Sequence, residues 1–349
     1  MHIFSIVNPN QLEGMSEEEI DTFLTTTTVG SGAFDIEKWD ATTEVILNAR
    51  PDYWKGKVDL DKVIVKIIPE PSNRVLLADK GDVDIARVIP PKDLSKLEGN
   101  TDLDIRVYES VSIVYLSLNT QKAPLDNVKV RQALAMAINK PAIIEAVFHG
   151  TGTVAKNLLP PGVWSADSQL KDYEYDPQKA KAMLKAAGAA DLKLNYVVNA
   201  GDEVDEQIAI LLQQQLAKAG VTVNLQKVDP SQSWDMLVAG EYDISVMYWT
   251  NDILDPDQKT TFVLGHDANM DYMIRYHNEQ VKALVAAARV EMDGKKREQM
   301  YIDLQKMAKA DVNWVDLYYS PYRNVSRKNI DGFYQNPLGR FFLEDTVKR

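Results

Sequence analysis

Between residues 192 and 249 the chain alternates strand and helix signals, and this constrains the fold more than any other feature. Residues 192–198 and 221–226 are short apolar runs with a strand's texture. Between them, residues 203–219 place Ile208, Leu211, Leu212 and Leu216 on one stripe at helical spacing, closed by Gly220. A helix over 233–239 and a strand over 244–249 complete the series. Strand, helix, strand, helix, strand implies two right-handed crossovers, and hence a parallel sheet in an α/β lobe.

The region before it is strand-rich. Residues 45–47, 63–68, 83–86, 105–108 and 111–118 read as strands. Helices are expected over 16–24, which open on Ser16 and a run of acids, and over 74–80, closed by Gly81. Pro90-Pro91 reads as a break. Residues 130–139 and 142–148 are helical, with Pro141 suited to the first turn of the second. Residues 150–175 are irregular, 178–187 form an alanine-rich helix, and 279–292 and 296–310 form two amphipathic helices. The tail 312–349 is aromatic and irregular, with strand-like 317–319. The first region does not close by itself. The expected layout is two α/β lobes, 1–116 and 117–320, with the tail 321–349 returning to the first.

Composition removes several classes of function. A chain of 349 residues can bury a large core without staples. It has no cysteine, which excludes disulfides, cysteine zinc sites, iron–sulfur clusters and a cysteine nucleophile. With 39 basic and 51 acidic residues, the net charge of −12 repels nucleic acid and anionic membrane. No run approaches the roughly 18 apolar residues of a membrane helix. The start, Met1-His2-Ile3-Phe4-Ser5, lacks the basic n-region of a secretory signal.

Enzyme motifs fit poorly. Gly150-Thr151-Gly152-Thr153-Val154-Ala155 matches G-x-G-x-x-A, but it follows a helix and runs into a proline-rich loop, so it reads as a loop. His2, His149, His266 and His277 show no zinc spacing. Asn324-Val325-Ser326 is a glycosylation sequon, meaningful only in a eukaryotic secretory setting. No pair of acids marks a general acid and base.

One stretch does suggest a site. Residues 243–249 form a strand ending in Trp249, and Thr250, Asn251, Asp252, Asp255, Pro256 and Asp257 follow. Ligands of open α/β sheets bind outside the carboxyl ends of strands. There Trp249 offers an apolar face with one donor, and Asp252 a carboxylate that an ammonium would satisfy. Such a charge-assisted bond contributes roughly 1.5–3 kcal/mol. The alternative is that Asp252 caps the next segment and Trp249 is core.

Several segments together resemble the family 5 extracellular solute-binding proteins of ABC importers, which include dipeptide-, oligopeptide- and nickel-binding proteins. Val29-Gly30-Ser31-Gly32-Ala33-Phe34 resembles V-G-T-G-P-[FY], and Asn48-Ala49-Arg50-Pro51-Asp52-Tyr53-Trp54 resembles R-N-P-x-Y-W. Gly81-Asp82-Val83-Asp84-Ile85-Ala86 is similar to G-E-[VI]-D-[IM]. Asp126-Asn127-Val128-Lys129-Val130-Arg131-Gln132-Ala133-Leu134 is similar to D-[DN]-V-R-V-R-[QK]-A-[LI], the most specific run. Pro160-Pro161-Gly162-Val163-Trp164 and Tyr175-Asp176-Pro177-Gln178-Lys179-Ala180 follow in the family's order, and 249–257 resembles W-T-G-D-N-G-D-P-D.

The resemblance implies a two-lobed periplasmic-binding-protein type II clamshell, with the first lobe N-terminally truncated because only 28 residues precede Val29. It implies no enzyme activity and no cofactor. It implies a periplasmic or cell-surface monomer that delivers a peptide or other amine-bearing solute to an ABC permease. Asp252 would take the ligand's α-amino group, with Tyr248, Trp249, Thr250 and Asn251 as wall and backbone contacts. Asn199 is expected as a polar partner on the neighbouring strand end, Tyr115 at the crossing between lobes, and Arg87 where it meets a ligand anion or a surface acid. Dipeptide binders hold the ligand carboxylate with an arginine after the strand 194–199, where this chain has Asn199-Ala200-Gly201-Asp202. Alternatives are a metal-chelate binder, with His266 as the candidate ligand, a sugar binder, and a hydrolase of peptides or sugars. Trp39, Trp54, Trp164, Trp234 and Trp314 are expected in packing roles.

Overall fold

The computed structural model describes residues 7–265 and 274–349. The chain divides into two compact units, Met1–Tyr108 with Tyr322–Arg349, and Glu109–Pro321. The boundary falls at 108/109, not 116/117, because the strand at 112–118 pairs on both sides within the second unit.

In the first unit, helix α1 (Glu17–Thr26) opens on a capping box in which Ser16 and Glu19 satisfy each other's backbone N–H groups. Strands β1 (Phe34–Asp40), β2 (Glu44–Ala49) and β3 (Lys62–Lys66) make an antiparallel meander. Helix α2 (Pro71–Lys80), strand β4 (Ile85–Arg87), helix α3 (Pro91–Leu97) and strand β5 (Leu103–Tyr108) follow. The proline pair expected to break the chain instead starts α3. A proline at the first helical position loses no hydrogen bond, and its φ suits the turn.

The second unit is built on one six-stranded sheet. Its strands are β6 (Ser112–Leu118), β7 (Thr153–Val154), β8 (Lys193–Asn199), β9 (Thr222–Val228), β10 (Ile244–Thr250) and β11 (Trp314–Tyr319). The order is β7-β11-β6-β10-β8-β9. β8 pairs in parallel with both β9 and β10, as the crossover pattern requires. β6, β11 and β7 add antiparallel neighbours, so the whole sheet is mixed. Helices α4 (Val128–Met136), α5 (Lys140–Phe148), α6 (Pro177–Ala186), α7 (Glu203–Lys218), α8 (Pro230–Ala239), α9 (Pro256–Leu264), α10 (Glu279–Val290) and α11 (Gly294–Asp311) accompany it. On α7, Ile208, Leu212 and Leu216 enter the core and Leu211 is partly buried. α9 lies where the sequence reads as an acidic loop; it too is opened by a proline, behind the cap Asp255.

The tail holds the strand the first unit lacked. β12 (Tyr322–Arg327) inserts between β4 and β5, antiparallel to both, and brings Val325 into a core with Ala86, Ile89, Leu97 and Leu103. The irregular segment after α5 is pinned by charge. Asp172 accepts from Lys140 Nζ at 2.5 Å and Lys309 Nζ at 2.6 Å, and Lys309 also meets Asp316 of β11 at 2.9 Å.

Arg131 explains the most specific run of the sequence. It lies 5% exposed on α4 and donates to the carbonyls of Leu125, Asp126, Asp311 and Val312 at 2.6–3.0 Å. One guanidinium therefore fastens the start of α4 to the end of α11, whose last carbonyls would otherwise be unsatisfied. Arg131→Met leaves those acceptors buried without a donor. Its expected cost is about 3 kcal/mol in the second unit, read as a lowered urea midpoint by circular dichroism.

Candidate functional site

One end of the second unit's sheet gathers the candidate residues. β8 and β10 run parallel, so Asn199 and Thr250 end at the same edge. β6 runs against β10 and starts there, with Ser112 opposite Thr250 in register. Thr250 Oγ1 donates to Ser112 Oγ at 3.0 Å, closing the edge across the two strands.

Strand alternation divides the predicted set into two faces. Tyr248 is 70% exposed. Trp249, on the opposite face, is 9% exposed and packs on Phe262 of α9 at 5.7 Å between ring centroids. Asn251 is 1% exposed, and its Nδ2 donates to the Ile253 carbonyl at 3.3 Å. Trp249 and Asn251 therefore point into the unit, while Tyr248, Thr250 and Asp252 remain toward solvent.

The three aspartates of the following loop have separate roles. Asp255 is the N-cap of α9, accepting from Asp257 N–H at 2.9 Å, and holds Arg297 through two bonds of 2.8 and 2.9 Å. That bidentate pair keeps the Asp255 carboxyl below its usual pKa against the opposing effect of burial. Asp257 accepts from Thr261 Oγ1 at 3.1 Å and faces Arg289 at 3.7 Å. Asp252 caps no helix and, among the described residues, meets no cation. Its Oδ2 accepts from Gln258 Nε2 at 2.5 Å, and its N–H donates to Gln258 Oε1 at 2.9 Å. This reciprocal pair fixes the carboxylate and, among the described residues, leaves Oδ1 open. Gln258 is the residue that sequence reasoning missed; the Asp255-Pro256 cap signal would have revealed its helix.

The end of β8 is acidic and carries no arginine. Asp202 caps α7, and Asp205 in its first turn is 6% exposed. Asp205 accepts from Asn199 N–H at 3.0 Å and from Tyr196 Oη at 3.3 Å. Burial, reinforced by the nearby carboxylates of Asp202 and Glu206, pushes its pKa up to about 6.

Other expected residues lie elsewhere. Tyr115 sits in the middle of β6, fully buried and stacked on Trp314 at 3.8 Å, so it is core and not a crossing residue. Arg87 is in the first unit, where its guanidinium lies over the Phe341 ring at 4.1 Å. Of the five tryptophans expected to pack, Trp314 is buried, whereas Trp39, Trp54, Trp164 and Trp234 are exposed. The sequon residue Asn324 is 1% exposed and bonded to Gln335, which closes it to modification in the folded chain. His266 lies outside the described residues. Among the described residues no helix is long and apolar enough to cross a membrane, and no three His, Asp or Glu side chains cluster as metal ligands.

Comparison with known proteins gives a consistent result. The profile of "Bacterial extracellular solute-binding proteins, family 5 Middle" matches residues 2–271. "Heme-binding protein A" of Haemophilus influenzae is 30% identical over 345 residues, which cover 97% of this chain and 63% of that protein. The dipeptide-binding protein of Escherichia coli is 29% identical over 352 residues, 99% of this chain and 66% of that protein. The chain thus spans just under two thirds of these relatives' length. Among solved structures, the ABC transporter-associated periplasmic binding protein DppA from Helicobacter pylori, in complex with the peptide STSA, superimposes with a TM-score of 0.77. It is 26% identical, and the match covers 97% of this chain and 68% of that one.

The shifted Asp205 gives the site edge a pH signature. Its folded pKa lies above the unfolded value, so its contribution favours the folded state below about pH 4. That contribution is lost as the pH rises through about 6. Asp205→Asn should therefore gain stability relative to the unaltered chain between pH 4.5 and 7.5, by on the order of 2 kcal/mol. Urea midpoints of the two proteins at both pH values check this; a constant difference between them contradicts it.

Proposed function

The chain belongs to the bacterial extracellular solute-binding proteins of family 5, and we propose that it captures peptides or other amine-bearing solutes for an ABC permease, by binding without catalysis. In this reading it works outside the cytoplasm as a monomer. The observation that carries the reading is Asp252, a solvent-facing carboxylate fixed by Gln258, with no cation among the described residues and no helix to cap.

A primary ammonium satisfies that group best. It supplies donors to the open Oδ1 and neutralises a charge that the acidic end of β8 would otherwise oppose. Tyr248 offers an exposed ring beside it, a surface for an aliphatic or aromatic side chain. Asn199 and Thr250 supply polar groups at the same edge. Among the described residues Asp172 and Asp316 are bound to lysines and Asp255 to Arg297, so these acids are engaged in holding the fold. The Escherichia coli relative is named for dipeptides and the Helicobacter pylori structure holds a peptide, which supports the amine-bearing class.

Asp252→Asn keeps the shape and the Gln258 contact but removes the charge. Its affinity for trialanine amide, measured by calorimetry, should fall by roughly 10- to 100-fold, the worth of one charge-assisted bond. Its affinity for N-acetyl-trialanine should not change. Equal affinity of both proteins for trialanine amide contradicts the role of Asp252.

A further inference from the structure

The turn between α10 and α11 leaves apolar side chains in water beside the loop that carries Asp252. Met292 is 93% exposed, and Val290, Trp164 and Leu254 are exposed as well. A cavity of about 690 Å³ lies between these segments, lined by Trp164, Leu254, Asp255, Arg289, Met292 and Arg297 among others. That volume is within the roughly 300–1,000 Å³ of ligand pockets. All of its lining residues belong to the second unit, as Asp252 does.

The wall is held in place by groups that need no ligand. Trp164 N–H donates to the Leu254 carbonyl at 3.1 Å, which ties the indole-bearing segment to the Asp252 loop. Tyr301 meets the Trp164 ring edge-on at 6.2 Å between centroids. The Arg297 guanidinium lies 5.1 Å from the Trp164 ring and 5.0 Å from that of Tyr301. Arg297 is itself fixed by its two bonds to Asp255 and by donation from Nε to the Ala288 carbonyl at 3.2 Å. A preset indole spares a ligand the cost of ordering it.

Charge in the wall is already matched. Asp255 is paired with Arg297, Glu291 Oε1 accepts from Asp293 N–H at 2.7 Å, and Arg289 faces Asp257 at 3.7 Å. What remains unmatched is apolar: an indole face, a leucine and a thioether. Neighbouring exposed apolar groups around a concavity mark a contact site, and methionine adapts its shape to what enters. Position identifies the occupant. Leu254 is two residues from Asp252, so their Cα atoms are at most about 7.6 Å apart. Three extended peptide residues span up to roughly 10 Å, enough to cover that separation.

We propose that Trp164, Leu254 and Met292 form a side-chain subsite that takes a large apolar or aromatic side chain from among the first three residues of the captured peptide. This rests on the peptide reading and narrows it: a peptide anchored by its ammonium on Asp252 is selected by the bulk of a residue near its N-terminus. It also gives exposed Trp164 a task that packing does not.

Calorimetry with trialanine amide and the amides of Phe-Ala-Ala, Ala-Phe-Ala and Ala-Ala-Phe tests this. At least one phenylalanine peptide should bind the unaltered chain about tenfold or more tightly than trialanine amide. Trp164→Ala should bring that ratio close to one. Met292→Ser, at a position in open solvent, should lower the ratio by about threefold, and it answers the question if the tryptophan variant fails to fold. Phenylalanine peptides that bind no more tightly than trialanine amide overturn the subsite and leave the peptide reading. A preference that survives both substitutions also overturns it, and loss of that preference in Tyr248→Ala would assign the side chain to Tyr248 instead. A preference that depends on Trp164 while Asp252→Asn changes no affinity upholds the subsite and removes the ammonium role of Asp252. A chain that binds none of the four amides overturns both.

Discussion

The bidentate contact between Asp255 and Arg297 is the interaction on which the site depends. A strand that runs into a helix through an acidic loop needs one carboxylate for the helix N-terminus and one for the nearest half-buried cation. Here Asp255 performs both tasks, capping α9 and holding Arg297. Asp252 is thereby relieved of structural duty. Among the described residues its side-chain partner is Gln258, a neutral group that orients the carboxylate without discharging it.

The β-α-β-α-β stretch was readable because its signals are local: a helical stripe on α7 and compact apolar runs in β8, β9 and β10 need no distant information. What escaped depends on distance or on proline. β12 reads as irregular tail because Tyr322, Asn324 and Ser326 alternate weakly, and the partners that make it a central strand, β4 and β5, lie far back in the chain. α3 and α9 escaped because Pro91 and Pro256 read as breakers, although each occupies the first helical turn.

The site was half readable for a related reason. The rule that ligands meet the carboxyl ends of strands placed Asp252 without any structure. The same rule grouped Trp249 and Asn251 with it, and the two-residue period of the strand turned both inward. Tyr115 was misplaced by treating β6 as a crossing when it is a central strand, hydrogen-bonded to β10 and β11. Arg87 shows the opposite case: nothing in the local sequence reveals that its guanidinium packs on Phe341, far along the chain.

The overall charge of −12 agrees with the local picture. Acids at the ends of β8 and β10 favour a cationic group. The most direct test of the central claim, that an open Asp252 selects amine-bearing solutes, is native mass spectrometry of gently purified chain with identification of what denaturation releases. Retained molecules with free amino groups, short peptides foremost, are expected. A retained solute with no amine, such as a sugar or a metal chelate of carboxylates alone, would contradict it.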